Sequence, residues 1–389
     1  MKRREPIMLG AGSSDFGKQS LNAEQLVTSA VAEALEAANL TAWQVDAIYL
    51  GTVFPYAGTA HRAMRAAGFA ATPLFTVENA CASGTLAFHL GSQAVRLGEY
   101  STVLIVGFEK MSSFIKGAIP TDPGDLEALQ SMQLPSMYAL TATRYMHQYG
   151  VTPEQLAQVS VKNHAHALHN PRAQYRGQYT VEEVLSSRPI SDPLTLLQCS
   201  PISDGAAAAV LRAREMVDDD AGGVRVLASH FESGALWPDP DHDQVWNWEL
   251  IHRTTAQAMA AAGLRHGDID LCEVHDAFTI GELVTIEAMG FCPEGQGAAF
   301  TEDGQTTYGG SIPVNPSGGL LSRGHPLGAT GVAQVAEMYW QLTGIAGPRQ
   351  VPDASRGLVE TMGGSASGLS GNGCVVAAFE TFNQKVTTT

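Results

Sequence analysis

Two residues of this chain carry the types needed for covalent catalysis at sulfur. Cys81 stands in Val77-Glu-Asn-Ala-Cys-Ala-Ser-Gly84, where a loop meets a run of helical spacing. A free thiol ionises near pH 8.5, but a helix N-terminus and a neighbouring imidazole both favour the thiolate, which is the nucleophile. Taken alone, the same residue reads rather as a small buried hydrophobe than as a nucleophile. His325 lies in Asn315-Pro-Ser-Gly-Gly-Leu-Leu-Ser-Arg-Gly-His-Pro-Leu-Gly-Ala-Thr-Gly331, whose repeated glycines let backbone approach a ligand closely and let N–H groups converge. His275, in Glu273-Val-His-Asp-Ala-Phe278, follows an expected strand, where an imidazole can hold a water or donate to a developing oxyanion.

The elements that must position these residues alternate. Residues 22–39 place Leu26, Val27, Val31, Ala34 and Leu35 at helical spacing, and Asp46–Val53 reads as a strand. Ser83–Leu97 predicts a helix stopped by Gly98, and Ser101–Gly107 a fully apolar strand. The second half echoes this order: a helix near 253–264, a strand at 268–274, a Gly-rich loop, a helix near 328–342 and a strand near 357–361. Such alternation argues for a layered α/β fold with an internal duplication. Aligning the halves sets Cys81-Ala-Ser-Gly84 against His325-Pro-Leu-Gly328, each just before a small-residue helix. A pseudo-twofold axis would bring the two side chains together at paired helix N-termini. We divide the chain into an N-terminal half (1–111 and 191–222), an inserted loop domain rich in Met, Pro, His, Gln and Tyr (112–190), and a C-terminal half (223–389). The apolar strand 101–107 and helix 83–97 lead us to expect two copies pairing there, which would bury a sheet edge.

A length of 389 residues with 44% hydrophobic side chains supports a large core. A formal charge of -16 supplies no basic field for nucleic acid or an anionic membrane. Five scattered cysteines without a C-x-x-C pair suggest neither a zinc site nor a disulfide framework, and fit a reducing, cytoplasmic setting. The basic start leads into an apolar stretch too short for a signal peptide or membrane span, and Val-Thr-Thr-Thr at the end is not a peroxisomal address.

Lys162-Asn-His-Ala-His-Ala-Leu-His-Asn-Pro171, Cys199-Ser-Pro-Ile-Ser-Asp-Gly205, Phe291-Cys-Pro-Glu-Gly-Gln-Gly297 and Asn315 to Gly331 together resemble the thiolase family, in particular its sterol-carrier-protein-x type, over nearly the whole chain. The resemblance implies a thiolase fold of two βαβαβαββ halves layered α-β-α-β-α. It implies acyl transfer on coenzyme A thioesters, with no permanently bound cofactor or metal. Cys81 matches the acylated cysteine, His325 the histidine that activates it and shares an oxyanion hole, and His275 the residue completing that hole. The backbone N–H groups of Cys81 and Gly363 match the second hole.

One departure matters. The second cysteine of the family, an acid/base, would stand at Ala277 in this type, or near Thr361 in others. Neither residue is a thiol, which leaves Cys374 and Cys292 as possible substitutes, although each sits in a setting that suits packing. The resemblance also implies a homodimer or dimer of dimers. The departure at Ala277 raises two rivals: a retro-aldolase or acyltransferase subunit working with a small zinc-ribbon/OB-fold partner, and a non-catalytic CoA-binding scaffold.

Overall fold

The computed structural model describes residues 3–120, 124–130, 132–235, 247–364 and 371–382, so the C-terminal Val-Thr-Thr-Thr lies outside the described residues. In chain order the N-terminal part runs β1 (Pro6–Ser13), α1 (Ala23–Ala37), β2 (Ala47–Gly51), α2 (Thr59–Ala66), β3 (Leu74–Val77), α3 (Ser83–Leu97) and β4 (Thr102–Lys110). An excursion follows: α4 (Leu126–Leu129), α5 (Leu134–Tyr149), α6 (Pro153–Ala167), α7 (Val181–Ser186) and the short pair β5 (Pro189–Ser191) and β6 (Leu194–Thr195). The chain then returns through β7 (Asp204–Ala213) and β8 (Gly223–Glu232). The remainder is α8 (Trp248–Ala262), β9 (Leu271–Glu273), α9 (Thr279–Ala288), α10 (Gly297–Glu302), α11 (Gly319–Arg323), α12 (Leu327–Leu342), β10 (Arg356–Gly363) and β11 (Gly373–Phe382).

Nine strands form one mixed sheet in the order β3-β2-β4-β7-β1-β8-β11-β10-β9. β2 runs parallel to β3 and β4, and β10 parallel to β9, while the other neighbours are antiparallel. From β2 to β9 the order is a palindrome about the β1–β8 junction, which is the topological mark of the duplication. The apolar stretch at the start of the chain, unassigned by periodicity, is β1 at this junction, and all of its residues are buried.

Alternation along the strands builds three cores. In β4, Val103 and Ile105 face a central core shared with α3 and α12, whereas Leu104 and Val106 face an outer core with α1 and α2. In the C-terminal half Val359, Ala377 and Phe379 point to the same central core, and Leu358, Val376 and Ala378 point to an outer core with α8. Period-two side-chain placement on a sheet covered on both faces thus produces the five layers. The excursion does not stand apart: Tyr138, Tyr145, Leu156 and Val159 share a cluster with Phe278, Leu283, Leu320 and Leu321 of the C-terminal half.

The expected pairing of two copies through residues 101–107 is corrected here. β4 lies between β2 and β7 with both edges hydrogen-bonded, so its apolar character reflects burial on two faces rather than an edge. One outer edge of the sheet is instead β3, where Phe75 is 41% exposed.

Candidate active site

The two central helices, α3 and α12, touch through the glycines that follow the two chemical residues by three positions. A Cβ on Gly84 would lie 2.6 Å from the Gly328 carbonyl oxygen, and one on Gly328 would lie 2.5 Å from that of Phe108. No other residue fits there, so the match of Cys-x-x-Gly to His-x-x-Gly is the contact that lets the helices cross. Glu109, at the end of β4, fastens the crossing by accepting the backbone N–H of Val53 (2.9 Å), Phe54 (3.1 Å) and Gly328 (3.1 Å). Burial nevertheless pushes its carboxyl up to about 7.

Cys81 sits in a one-turn 3-10 segment leading into α3. Ala80 before it has φ +44, a left-handed conformation that costs a non-glycine residue roughly 1–3 kcal/mol and is tolerated where the surroundings enforce it. Ser83 enforces it by donating to the Ala80 carbonyl at 2.6 Å while accepting the Asn79 N–H at 2.8 Å. The Cys81 sulfur lies 3.3 Å from Nε2 of His325. Nδ1 of His325 lies 2.7 Å from the Thr330 hydroxyl, which itself donates to the Pro326 carbonyl at 3.0 Å. With the hydroxyl proton assigned to that carbonyl, Nδ1 is the N–H donor. Nε2 therefore presents its lone pair to the thiol.

Burial favours the neutral form of both groups. Burial pushes the Cys81 thiol up to about 12, opposed by the N–H groups of Gly364 and of Cys81 itself. Burial, then the neighbouring His275, holds His325 well below the usual imidazole range. His275 adjoins it, with ring centroids 5.4 Å apart, and burial lowers its pKa to about 3. Its Nε2 is buried without a hydrogen-bond partner among the described residues. A cavity of about 20 Å³ behind the ring, lined also by Tyr138, Thr141 and Asn247, has room for one water.

A larger cavity of about 370 Å³ ends at His325. Ala277 and Phe278 line it together with Ile119, Leu134, Ile190 and Leu196, and the exposed Lys18 and Arg188 also line it. The structure thus brings Cys81, His325 and His275 together, as the sequence reading expects, and sets Ala277 on the wall of the cavity that reaches His325. The N–H that acts on the Cys81 thiol is that of Gly364, one residue past the expected Gly363, which pairs with Gly373 of β11 and packs against Asn79. Cys374 is fully buried in β11 with its thiol 3.6 Å from Glu360, and Cys292 packs in the outer core of the C-terminal half. Neither lines the cavity.

Sequence reasoning missed Cys199, which does line the cavity. Its backbone bridges that of Phe278, and the Ser200 N–H donates to the Ala277 carbonyl at 2.8 Å. It missed Thr330 as well. The hydroxyl at the fifth residue past His325 in the glycine-rich segment was the available signal.

Comparison with known proteins agrees with this geometry. Residues 7–215 match the thiolase N-terminal domain, and 242–370 match a thiolase C-terminal domain-like unit. The acetyl-CoA acetyltransferase of Methanothermobacter thermautotrophicus is 42% identical over 93% of this chain and 97% of its own length. Human sterol carrier protein 2 is 36% identical over 92% of this chain and 70% of its own length. Among solved structures, one described as an Ltp2-ChsH2(DUF35) aldolase aligns with a TM-score of 0.81 and 25% identity, covering 99% of this chain and 100% of that one. The chain belongs to the thiolase family and is an acyltransferase of the thiolase type.

Proposed function

We propose that Cys81 is the acylated nucleophile of a β-ketoacyl-CoA thiolase reaction. The observation that carries this is the 3.3 Å contact of its sulfur with a His325 nitrogen whose lone pair Thr330 fixes. In the cleavage direction the sulfur attacks the β-keto carbonyl while its proton passes to Nε2 of His325. The bond between the α-carbon and the carbonyl carbon then breaks, and its electron pair leaves on the α-carbon of the departing acyl-CoA, which takes up a proton. The thiol of coenzyme A next attacks the acyl-cysteine and releases the shortened acyl-CoA. Condensation is the reverse. Preorganised donors stabilise each oxyanion: the imidazoles of His325 and His275 serve one hole, and the N–H groups of Cys81 and Gly364 serve the acyl oxygen. Intact-protein mass spectrometry after incubation with acetoacetyl-CoA and with a bulky β-ketoacyl-CoA should show one acyl group on Cys81. An unmodified protein with both substrates refutes the reading.

For assembly, the exposed β3 edge supports a homodimer in which β3 of one copy pairs with β3 of another, with Phe75 at the seam. Light scattering at micromolar concentration should give at least twice the mass of the chain, and a monomer contradicts the assignment. The absence of a thiol at Ala277 on the cavity wall motivates a less favoured second reading, a retro-aldolase or acyltransferase subunit working beside a small zinc-ribbon/OB-fold partner. The described structural relative carries two protein names, and co-purification tests the idea here. All five cysteines are free thiols, which supports a reducing, cytoplasmic setting. Among the described residues no helix is long and apolar enough to cross a membrane.

A further inference from the structure

We infer that Cys81, His325 and His275 together form an inhibitory site for a soft divalent cation of the zinc class, filled in competition with acylation of Cys81. The binding follows from geometry alone; only its inhibitory consequence rests on the acyl-transfer reading. The Cys81 sulfur and one ring nitrogen from each imidazole all lie within 4.8 Å of one another. Zinc bonds of about 2.0–2.1 Å to nitrogen and 2.3 Å to sulfur, arranged tetrahedrally, place ligand atoms about 3.3–3.6 Å apart. The Cys81–His325 pair is already at 3.3 Å. The His275 nitrogen lies within 4.8 Å of both, so a ring rotation that closes at most about 1.5 Å completes three corners, and the fourth is left for water.

The surroundings favour a metal in the ways that metal sites require. A ligating histidine needs its other nitrogen held by a hydrogen bond that fixes the tautomer, and Thr330 does this for His325 at 2.7 Å. His275 is buried, 3% exposed, with no partner for Nε2 among the described residues, so its ring is not tied elsewhere at that atom. Thiolate with two imidazoles selects zinc-class ions over magnesium or calcium, which prefer oxygen ligands. The cavity of about 370 Å³ that reaches His325 gives access from solvent, and the chain's net charge of -16 attracts cations. The exchange balances without redox change: the thiol proton leaves to solvent as the sulfur–metal bond forms. An acylated sulfur has no thiolate to offer, so acylation and metal binding exclude each other.

The test uses the full-length protein, freed of metal with chelator and then titrated with zinc and, as a spectroscopic probe, with cobalt(II). We expect one cobalt per chain with a thiolate charge-transfer band and tetrahedral d–d bands, and the thiolate band should vanish in Cys81→Ser. Zinc at one equivalent should protect Cys81 from iodoacetamide, and chelator should restore alkylation. Thr330→Val should weaken zinc about 10- to 100-fold, the usual cost of losing an outer-shell partner. Alkylation of Cys81 that continues at its metal-free rate under saturating zinc overturns the proposal, as does cobalt binding without a thiolate band. If metal binds as described but no acyl-CoA ever acylates Cys81, the metal site stands and the thiolase chemistry falls.

Discussion

Thr330→Val isolates the hydroxyl that fixes the base. The two side chains are nearly isosteric and both β-branched, so the helix start of α12 keeps its shape while one oxygen becomes a methyl. In the wild type that oxygen accepts from Nδ1–H of His325 at 2.7 Å. During acylation the imidazole gains the Cys81 proton, and the bond becomes one to a charged donor, worth about 1.5–3 kcal/mol against about 1 for a neutral pair. Only the gain over the neutral bond, about 0.5–2 kcal/mol, is lost from the transition state alone, so at 1.36 kcal/mol per tenfold the variant slows acylation by about 2- to 30-fold. Substrate binding should change less, because the imidazole is neutral until the sulfur attacks. Rapid-quench single turnover, with acyl-Cys81 read by intact mass, measures the rate directly, and Thr330→Ser should recover most of it. A valine variant that acylates within twofold of wild type would refute the role assigned to the hydroxyl and, with it, the inferred tautomer.

Restoring the thiol with Ala277→Cys should raise thiolysis of a β-ketoacyl-CoA, by up to the 10²–10⁴-fold that a positioned acid/base supplies, whereas Cys374→Ala and Cys292→Ala should change it little. If steady-state turnover in the wild type proves ordinary, the cavity position of Cys199 predicts that Cys199→Ala, rather than either of those, removes it. Because burial pushes the Cys81 thiol up to about 12, iodoacetamide alkylation of the free enzyme should keep accelerating through pH 9. A plateau near neutrality would reveal a resting thiolate–imidazolium pair. His325 sits well below the usual imidazole range, so it stays unprotonated and able to accept a proton as pH falls through 6.5. The acid limb of acylation should accordingly lie below that value, as a pH profile of single-turnover rates will show.

Elements with strong periodicity were legible: Ser83–Leu97 is a helix with those bounds, and the order of helices and strands gave the layered class. The Cys81–His325 meeting was legible too, because it rests on a repeat within the chain. Edge and interior strands were not. Ser101–Gly107 is equally apolar whether a neighbour on each side is this chain or another copy, and only the pairing with β2 and β7 decides. Gly363 and Gly364 were separable only by where the ladder with β11 ends. Cys199 reaches the cavity that ends at His325 through a bridge to a residue 79 positions away, which no local pattern encodes.

Those long-range partners also explain why motifs with no catalytic atom carried the resemblance. Lys162 on α6 is buried between Glu282 at 2.8 Å and the Val314 carbonyl at 3.0 Å, and Asn163 donates to both Asp276 and Glu282. Asp276 in turn accepts the Leu320 N–H at 2.7 Å at the start of α11, and Glu273 takes Ser317 and Arg323. His275 stands on this lattice between two buried carboxylates, and the glycine loop that ends in His325 is tied to it at its base. Removing Lys162 from Glu282, or Arg323 from Glu273, breaks a buried ion pair, a cost of about 3–5 kcal/mol. The loop depends on such ties: Asn315, Ser317, Leu320 and Leu321 all bond to this β9–α9 region, while the glycines supply close approach but no packing of their own. Precision at two atoms 3.3 Å apart is therefore set by residues on α6, β9 and α9 that do not line the cavity reaching His325.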